Sequence, residues 1–382
     1  MKNVKIVIGA NYGDEGKGLL TRHFVKESMT PHNDTLTIFH NGTAQRGHTV
    51  DYNENFRHVY HHFGSGTADG SPTYFADSFL VHPMEFEREY EELRAQGIIV
   101  PMCYCHPDAK VITPYDMLVD RLTQDHIEKI TGNREYASCC FGSWCAIEDR
   151  FPMGRTCYTV KDFWNLKTTE FLLTEVWKDC KLILEKRGID IANTKYANIN
   201  TEVINRNFAY NMLYMINRCM LMTFDDIWKN NHFNTYVFEN GQGLGLDVNI
   251  GNNYHTTSNT GLINPYNMLK NYKDFNAEVC YVTRSYLTRH GAGPMESRVP
   301  KSEINCLMID KTNVPNEHQG TLRYGYLEDK DQKKRIDNDF KIARGDNRFS
   351  FSMAITHTNE FNCENDKSKY FSDNPYNVEE RK

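Results

Sequence analysis

Val4-Lys-Ile-Val-Ile8 followed by Gly9-Ala-Asn-Tyr-Gly-Asp-Glu-Gly-Lys-Gly18 is the stretch on which the fold turns. The first five residues read as a buried strand. The glycine-rich run reverses the chain, and Leu19-Leu-Thr-Arg-His-Phe24 can start a helix. Strand, glycine turn and helix open an α/β protein with a parallel sheet. Glycines let a backbone approach phosphate closely, and free amides at a helix start beside Lys17 supply positive potential. The run is not a Walker loop, because Gly18 stands where Ser or Thr would hold magnesium. A carboxylate, Asp14, lies inside it. Among phosphate-binding amides that charge is repulsive unless it holds a metal or works as a base. Taken alone, the run is also readable as a turn that binds nothing.

Working outward, Leu36 to Phe39, Tyr236 to Glu239, Val279 to Val282 and Met353 to Thr356 read as further strands. Val81 to Gly97 reads as an amphipathic helix, with Pro83 in its first turn, Phe86, Tyr90 and Leu93 on one face and Gly97 at its end. Phe171 to Lys186 reads as a second, with Leu173, Val176, Trp177, Cys180 and Leu184 at helical spacing. The expected class is α/β, one large domain around a mostly parallel central sheet flanked by helices. It is expected over residues 1–361, with 362–382 as a polar, loose C-terminal tail.

Composition narrows the function. The chain has 382 residues, net charge −6, 40% apolar and 25% charged residues. This excludes a disordered chain, a collagen-like repeat and a small disulfide-stapled domain. No apolar run is long enough for a membrane span, and the first residues lack the core of a signal peptide. The acidic balance argues against a general nucleic-acid binder. Eleven cysteines suit a reducing compartment, and a cytoplasmic location is expected. Neither Cys103-Tyr-Cys105-His106 nor Cys139-Cys140 with Cys145 completes a zinc spacing, so these read as ordinary thiols.

Two more segments carry chemistry. His40-Asn-Gly-Thr-Ala-Gln-Arg-Gly-His-Thr49 follows the second strand. Loops after adjacent parallel strands meet at the carboxyl edge of the sheet, so His48 is expected to face Asp14 as acid to base. Alone, His48 is also readable as a satisfied structural histidine. Phe238-Glu-Asn-Gly-Gln-Gly-Leu-Gly-Leu-Asp247 leads into the hydroxyl cluster Thr256-Thr-Ser258, which can cradle a phosphate or simply cap a helix.

In this order, Gly13-Asp-Glu-Gly-Lys-Gly18, Gln45-Arg-Gly-His-Thr49 and Phe238 to Asn259 resemble the adenylosuccinate synthetase family. His61-His-Phe-Gly-Ser-Gly66 and Thr288-Arg-His-Gly-Ala-Gly-Pro294 are weaker matches in sequence. The resemblance spans about residues 1 to 360 and implies a C–N ligase. The γ-phosphate of a nucleoside triphosphate moves to the 6-oxygen of a purine monophosphate, and the amino group of aspartate then displaces it. By the same resemblance Asp14, His48 and Lys17 are catalytic. Gly13, Glu15, Gly16, Lys17, Gly18, Thr49, His357 and Asn359 contact the triphosphate nucleotide. Gln45, Ser138, Cys139, Gln242 and Thr256 contact the purine monophosphate, and Thr321 and Arg323 the amino acid. Asp14 and the Gly47 carbonyl hold Mg2+. A homodimer is implied, with Arg150 or Arg155 near the place from which an arginine reaches across. The partners are small molecules, with neither nucleic acid nor membrane.

The departures from the family pattern are informative. Gln45 and Arg46 stand where the family has Asn and Ala. Of the family's glycine-rich phosphate segment, Ser138-Cys-Cys-Phe-Gly-Ser-Trp-Cys145 keeps little. The amino-acid loop, Gly320-Thr-Leu-Arg-Tyr-Gly-Tyr326, keeps one arginine, Arg323, of four. The guanine-recognising Thr-Lys-x-Asp reads Thr356-His-Thr-Asn359. An amide has one acceptor and sets an NH2 against a donor, so ATP is expected over strict GTP use. The chain stops about 23 residues after Asn359, earlier than typical members. Both traits resemble the phage 2-aminoadenylosuccinate synthetases, which act on dGMP with ATP and commonly carry serine at the loop acid. Here Asp14 is kept. The resemblance therefore implies a divergent viral member with the ordinary catalytic pair, located in host cytoplasm, acting on IMP, GMP or dGMP. Rival readings are a regulator on the same fold with its chemistry lost, a ligase for another amino acid, and a P-loop kinase or NTPase.

Overall fold

The strand Lys2–Gly9 (β1) lies near the middle of a ten-stranded sheet, between two strands from the far half of the chain. The computed structural model describes residues 1–30, 34–132, 140–149, 158–229, 233–249, 254–308, 321–361 and 368–381. The other strands of the sheet are Asp34–Phe39 (β2), Thr73–Phe75 (β3), Cys103–Cys105 (β4), Cys219–Leu221 (β5) and Phe233–Glu239 (β6). Phe275–Arg284 (β7), Phe349–Thr356 (β8), Tyr370–Phe371 (β9) and Glu379–Glu380 (β10) complete it. The spatial order is β10-β9-β8-β7-β1-β6-β2-β3-β4-β5. Every pairing is parallel except β9 with β10. The α/β class and the mostly parallel sheet are as the sequence indicated.

β1 is covered on both faces, which explains its nearly unbroken apolar run. Val4, Ile6 and Ile8 pack with Leu36, Ile38, Phe238 and Val279 on one side. Val7 packs on the other side with Leu20, Phe24 and Val25 of the helix Lys17–Ser28 (α1). Period-two alternation along β1 thus separates two cores.

Helix Pro83–Ala95 (α2) starts and ends as read. Pro83 is in its first turn, the His82 ring accepts from the Glu85 amide, and Gly97 takes φ 81°. Pro114–Thr131 (α3) opens on a Thr113–Asp116 capping box. Leu166–Lys186 (α4) begins five residues earlier than its apolar pattern. Asn165 Oδ1 accepts from the Thr168 amide at 2.9 Å and sets that start. Thr201–Ile216 (α5) packs on α2 and α4, and α4 on α3. Among the described residues no helix is long and apolar enough to cross a membrane.

The C-terminal stretch differs from the loose tail expected of 362–382. Tyr370–Phe371 pairs parallel with β8, and Glu379–Glu380 pairs antiparallel with it in turn. Tyr370 is buried against Phe24 and His23 of α1. Lys369 and Lys5 both reach Glu278 on β7. Polar composition hid this because the segment is held by few apolar groups, by strand pairing and by a partly exposed ion pair.

Candidate active site

The loop after β1 is organised from within by Glu15. Its Oε1 accepts from the amides of Asn11 (3.1 Å) and Gly13 (2.8 Å), and its Oε2 pairs with Lys17 Nζ at 2.7 Å. Both side chains are buried. Two loop amides expected to be free for phosphate are therefore occupied, Gly13 among them, and the Lys17 charge is already compensated. Asp14 takes φ 61°, between Gly13 and Gly16 at φ 98° and 88°. Its backbone carbonyl accepts from Arg284 Nε, and its Oδ2 lies 3.4 Å from His290 Nε2. Gly18 is a packing glycine. A Cβ there would sit 2.9 Å from the Thr49 carbonyl oxygen and 3.2 Å from the His48 carbonyl carbon. Serine or threonine is thus excluded where a Walker loop requires it.

His48 opens the strand His48–Asn53, which pairs with Phe56–Tyr60 and packs against α1. Its Nδ1 is 2.5 Å from Glu239 Oε1, at the last residue of β6. Glu239 is fully buried and also accepts from the Ser65 amide (3.0 Å) and hydroxyl. Burial pushes the His48 pKa down, and the Glu239 carboxylate opposes that. β1 and β2, expected to be adjacent, are separated by β6, so the strand between them supplies the group that orients His48. The loops after β2 and β6 are laced together. His40 Nε2 meets Asn240 Oδ1 at 2.6 Å, and Asn41 exchanges two hydrogen bonds with Gly241. Arg46 is part of this lacing. It is buried, donates to the Glu239 and Asn41 carbonyls and lies 4.0 Å over the Phe39 ring. That accounts for an arginine where the family has alanine.

These loops enclose a cavity of about 360 Å³. Asp14, Glu15, Gly16, Lys17, Gly18, Gly47, His48, Thr49, His357 and Asn359 all line it. Gly13 does not. His357 has φ 59°, and burial followed by the Arg284 charge holds its imidazole well below the ordinary histidine range. The sequence reading missed Arg57, Arg284, Glu360, Ser372, Asn374 and Tyr376 on the same wall. Arg284 ends β7 at the carboxyl edge and links through the Tyr286 hydroxyl to Glu360. Asn374-Pro375 is a turn signal that marks a loop there. The strand-paired C-terminal stretch therefore forms part of the cavity wall.

Gln242 lies on the loop after β6 in a left-handed conformation, φ 63°. Its Oε1 is buried with no partner among the described residues. A strained backbone and an unsatisfied amide oxygen fit a group that waits for a ligand. Gln45 is half-buried on the laced loop. The Thr256 hydroxyl is turned to its own loop, donating to the Ser258 carbonyl at 3.2 Å. Ser138 and Cys139 lie outside the described residues, as do Arg150 and Arg155. Thr321 is exposed, and Arg323 lies in a separate cavity.

Among the described residues no three His, Cys, Asp or Glu side chains gather to hold a metal alone. Mg2+ needs less protein than that, because it commonly takes one or two carboxylates and completes its shell with water and phosphate oxygens. Asp14 and Gly47 line the cavity together and fit that pattern. Asp14 and Glu15 against Lys17 leave this loop negative, so a polyphosphate there calls for an accompanying cation.

The adenylosuccinate synthetase family model matches residues 6–329. The chain belongs to the adenylosuccinate synthetase family. The adenylosuccinate synthetase of Thermosipho africanus is 23% identical over 296 residues, 76% of this chain and 65% of that protein. That of Aquifex aeolicus is 27% identical over 313 residues, 78% and 65% respectively. The matched stretch thus spans about two thirds of these relatives. The fully ligated adenylosuccinate synthetase of Plasmodium falciparum superposes with TM-score 0.71 at 17% identity, over 94% of this chain and 77% of that one. The succinoaminodeoxyadenylate synthetase of cyanophage S-2L, solved with dGMP and dATP as energy donor, gives TM-score 0.59 at 13% identity, over 100% and 95%. At these identities the structures support the family's fold.

Proposed function

We propose that this chain is a purine nucleotide ligase. It phosphorylates the 6-oxygen of a 6-oxopurine monophosphate (IMP, GMP or dGMP) with a nucleoside triphosphate. It then joins C6 to the amino group of aspartate. The observation that carries this reading is that Asp14, Lys17 and His48 line one cavity, with His48 held by Glu239. The purine is placed at Gln242 with Gln45, Ser138, Cys139 and Thr256, and the amino acid at Thr321 and Arg323.

A purine amide oxygen is a poor leaving group and must first become a phosphoryl ester. Asp14 accepts the N1 proton, which concentrates charge on the 6-oxygen. That oxygen attacks the γ-phosphorus, and the nucleoside diphosphate leaves. His48 donates to the oxygens on which charge develops. Negative phosphate beside His48 favours the imidazolium, in the same direction as Glu239. Lys17, held in the loop by Glu15, is the cation of this loop nearest in sequence to Asp14 and in this reading contacts the phosphates. The amino group of aspartate then attacks C6, and inorganic phosphate departs. Mg2+, held by Asp14 and the Gly47 carbonyl, would offset the charge of the triphosphate.

Asn359 shares a cavity wall with Glu360, Asn374 and Tyr376, and in this reading it contacts the base of the donor, for which ATP is proposed. We place the chain nearest the phage branch of the family and, as is usual in the family, as a homodimer. Incubation of IMP, dIMP, GMP and dGMP with aspartate and ATP or GTP tests this, read out as phosphate release and product mass. No C–N product from any of the four would overturn it. Phosphate release without a purine would favour an NTPase.

A further inference from the structure

A second cavity, of about 500 Å³, shares no residue with the one around Asp14 and His48. It is walled by β3, by the helix Phe224–Lys229 (α6) and by the helix Ile263–Leu269 (α7) with the residues just after it. Its size falls among small-molecule sites, which run from about 300 to 1,000 Å³. Tyr74, Phe224, Met268 and Tyr272 give it an aromatic, apolar lining. The Phe224 ring centroid is 6.0 Å from that of Tyr74 and 5.9 Å from that of Tyr272. Rings so placed offer faces and edges to a further flat ring.

Tyr74 is fully buried, yet its hydroxyl has no hydrogen-bond partner among the described residues. Buried hydroxyls without partners are rare and costly, so one in a cavity wall marks a place for a polar ligand atom. Burial, then Cys105 and Asp77, push the Tyr74 pKa up, which keeps the hydroxyl protonated and able to donate. The outer wall sets two carboxylates, Asp77 and Asp225, against one lysine, Lys229. Lys229 Nζ is already 2.5 Å from Asp225 Oδ2. The surplus charge is negative, which repels phosphate and favours a ligand that carries N–H donors.

We propose that this cavity is an effector site for an uncharged nucleobase bearing an exocyclic amino group, as free base or nucleoside. The base lies against Phe224 and Tyr272, a ring nitrogen accepts from the Tyr74 hydroxyl, and the amino group donates to Asp77. The site reaches the chemistry through two grips on one carbonyl. The His40 carbonyl accepts from Ser78 Oγ at 2.6 Å and from Asn264 Nδ2 at 3.0 Å. Ser78 follows Asp77, and Asn264 lies about one helical turn before Asn267 of the cavity wall. The His40 ring is in turn tied to Asn240, the neighbour of the Glu239 that holds His48. A base seated against the Asp77 loop and α7 alters both grips, and with them the lacing of the loops after β2 and β6. Binding here does not depend on the ligase reading, whereas its effect on the purine site rests on it.

The test is calorimetric titration into the full chain, with the active site filled by a non-hydrolysable ATP analogue and by IMP or dGMP. Adenine is compared with hypoxanthine, and adenosine with inosine and AMP. Wild type is expected to bind adenine or adenosine at one site per chain. The oxo counterpart of the one that binds, and AMP, should bind at least tenfold more weakly. Tyr74→Phe removes only a hydroxyl that lacks a partner. It should keep or raise the melting temperature and lose at least tenfold in affinity for the ligand. Asp77→Asn, at an exposed position, should narrow the gap to AMP. By reciprocity, affinity for the ligand should differ at least threefold with and without the purine monophosphate, and Ser78→Ala should abolish that difference. Failure of both adenine and adenosine to bind overturns the proposal. So does binding that Tyr74→Phe leaves unchanged, AMP held as tightly as the uncharged ligand, or affinity unmoved by IMP and by dGMP. Because binding is read without turnover, failure of the ligase reading would show separately, as absence of product in the substrate panel.

Discussion

His48 Nδ1 lies 2.5 Å from Glu239 Oε1, across 191 residues of sequence and at the junction of two laced loops. The pair is buried, and Ser65 donates to the same carboxylate through its amide and hydroxyl. Glu239→Gln keeps the shape and weakens the hold on the imidazole. We expect kcat to fall by about 10²-fold, within the usual range for acid–base groups, with nucleotide KM little changed. Glu239→Ala leaves buried donors unpaired and should cost about 1–3 kcal/mol for each, read by denaturant unfolding. Wild-type kcat in the glutamine variant would remove His48 from the mechanism.

Asp14 has a left-handed backbone, which asparagine tolerates better than alanine. Asp14→Asn therefore separates charge from strain. Turnover should drop by about 10³-fold, as for loss of a general base, while the melting temperature stays near that of wild type. Steady-state kinetics beside a thermal melt decides it.

Gly18→Ser recreates a Walker-like sequence in a place with no room for it. The new Cβ would press on the Thr49 carbonyl and Ser65 Oγ, at 2.9 and 3.1 Å. Overpacking of this kind costs about 1–3 kcal/mol. The variant should lose stability and activity together, because the strand that begins with His48 is pushed from α1. Gain of a simple ATPase activity would contradict this.

Asn359 bears on the choice of donor. Restoring a carboxylate by Asn359→Asp gives guanine N1–H and its amino group a shared acceptor. The ratio of kcat/KM for GTP to that for ATP should rise at least tenfold. An unmoved ratio would place base recognition elsewhere on the wall, for example at Asn374.

Glu278 links the C-terminal stretch to the sheet. Burial opposes its ionisation, but Lys5 and Lys369 outweigh this and hold its pKa at about 2. A carboxyl depressed in the fold contributes stability above its ordinary range near 4.5, and this is lost as pH falls towards about 2. Lys369 is partly exposed, which tempers the size of the effect. Amide exchange at Tyr370 should speed up across that window, or at neutral pH in Glu278→Gln, ahead of exchange in β1.

Much of this was legible in the chain itself. The apolar run of β1 and its glycine turn specify strand, turn and helix locally, because burial on both faces and left-handed backbone leave marks on residue type. Asp14, Lys17 and His48 stood out by their setting, and the motifs around them pointed to the family. What sequence alone did not show was which strands are neighbours. A period-two pattern says that a face is buried, not against what. The insertion of β6 between β1 and β2, which brings Glu239 to His48, came only from the tertiary structure. So did the capture of loop amides by Glu15, because a carboxylate two residues from a lysine reads the same whether it is solvated or folded inward. The polar C-terminal stretch becomes sheet edge and cavity wall through pairing. Local chemistry is written in the order of residues, whereas contacts between distant residues are decided by the packing that closes the sheet.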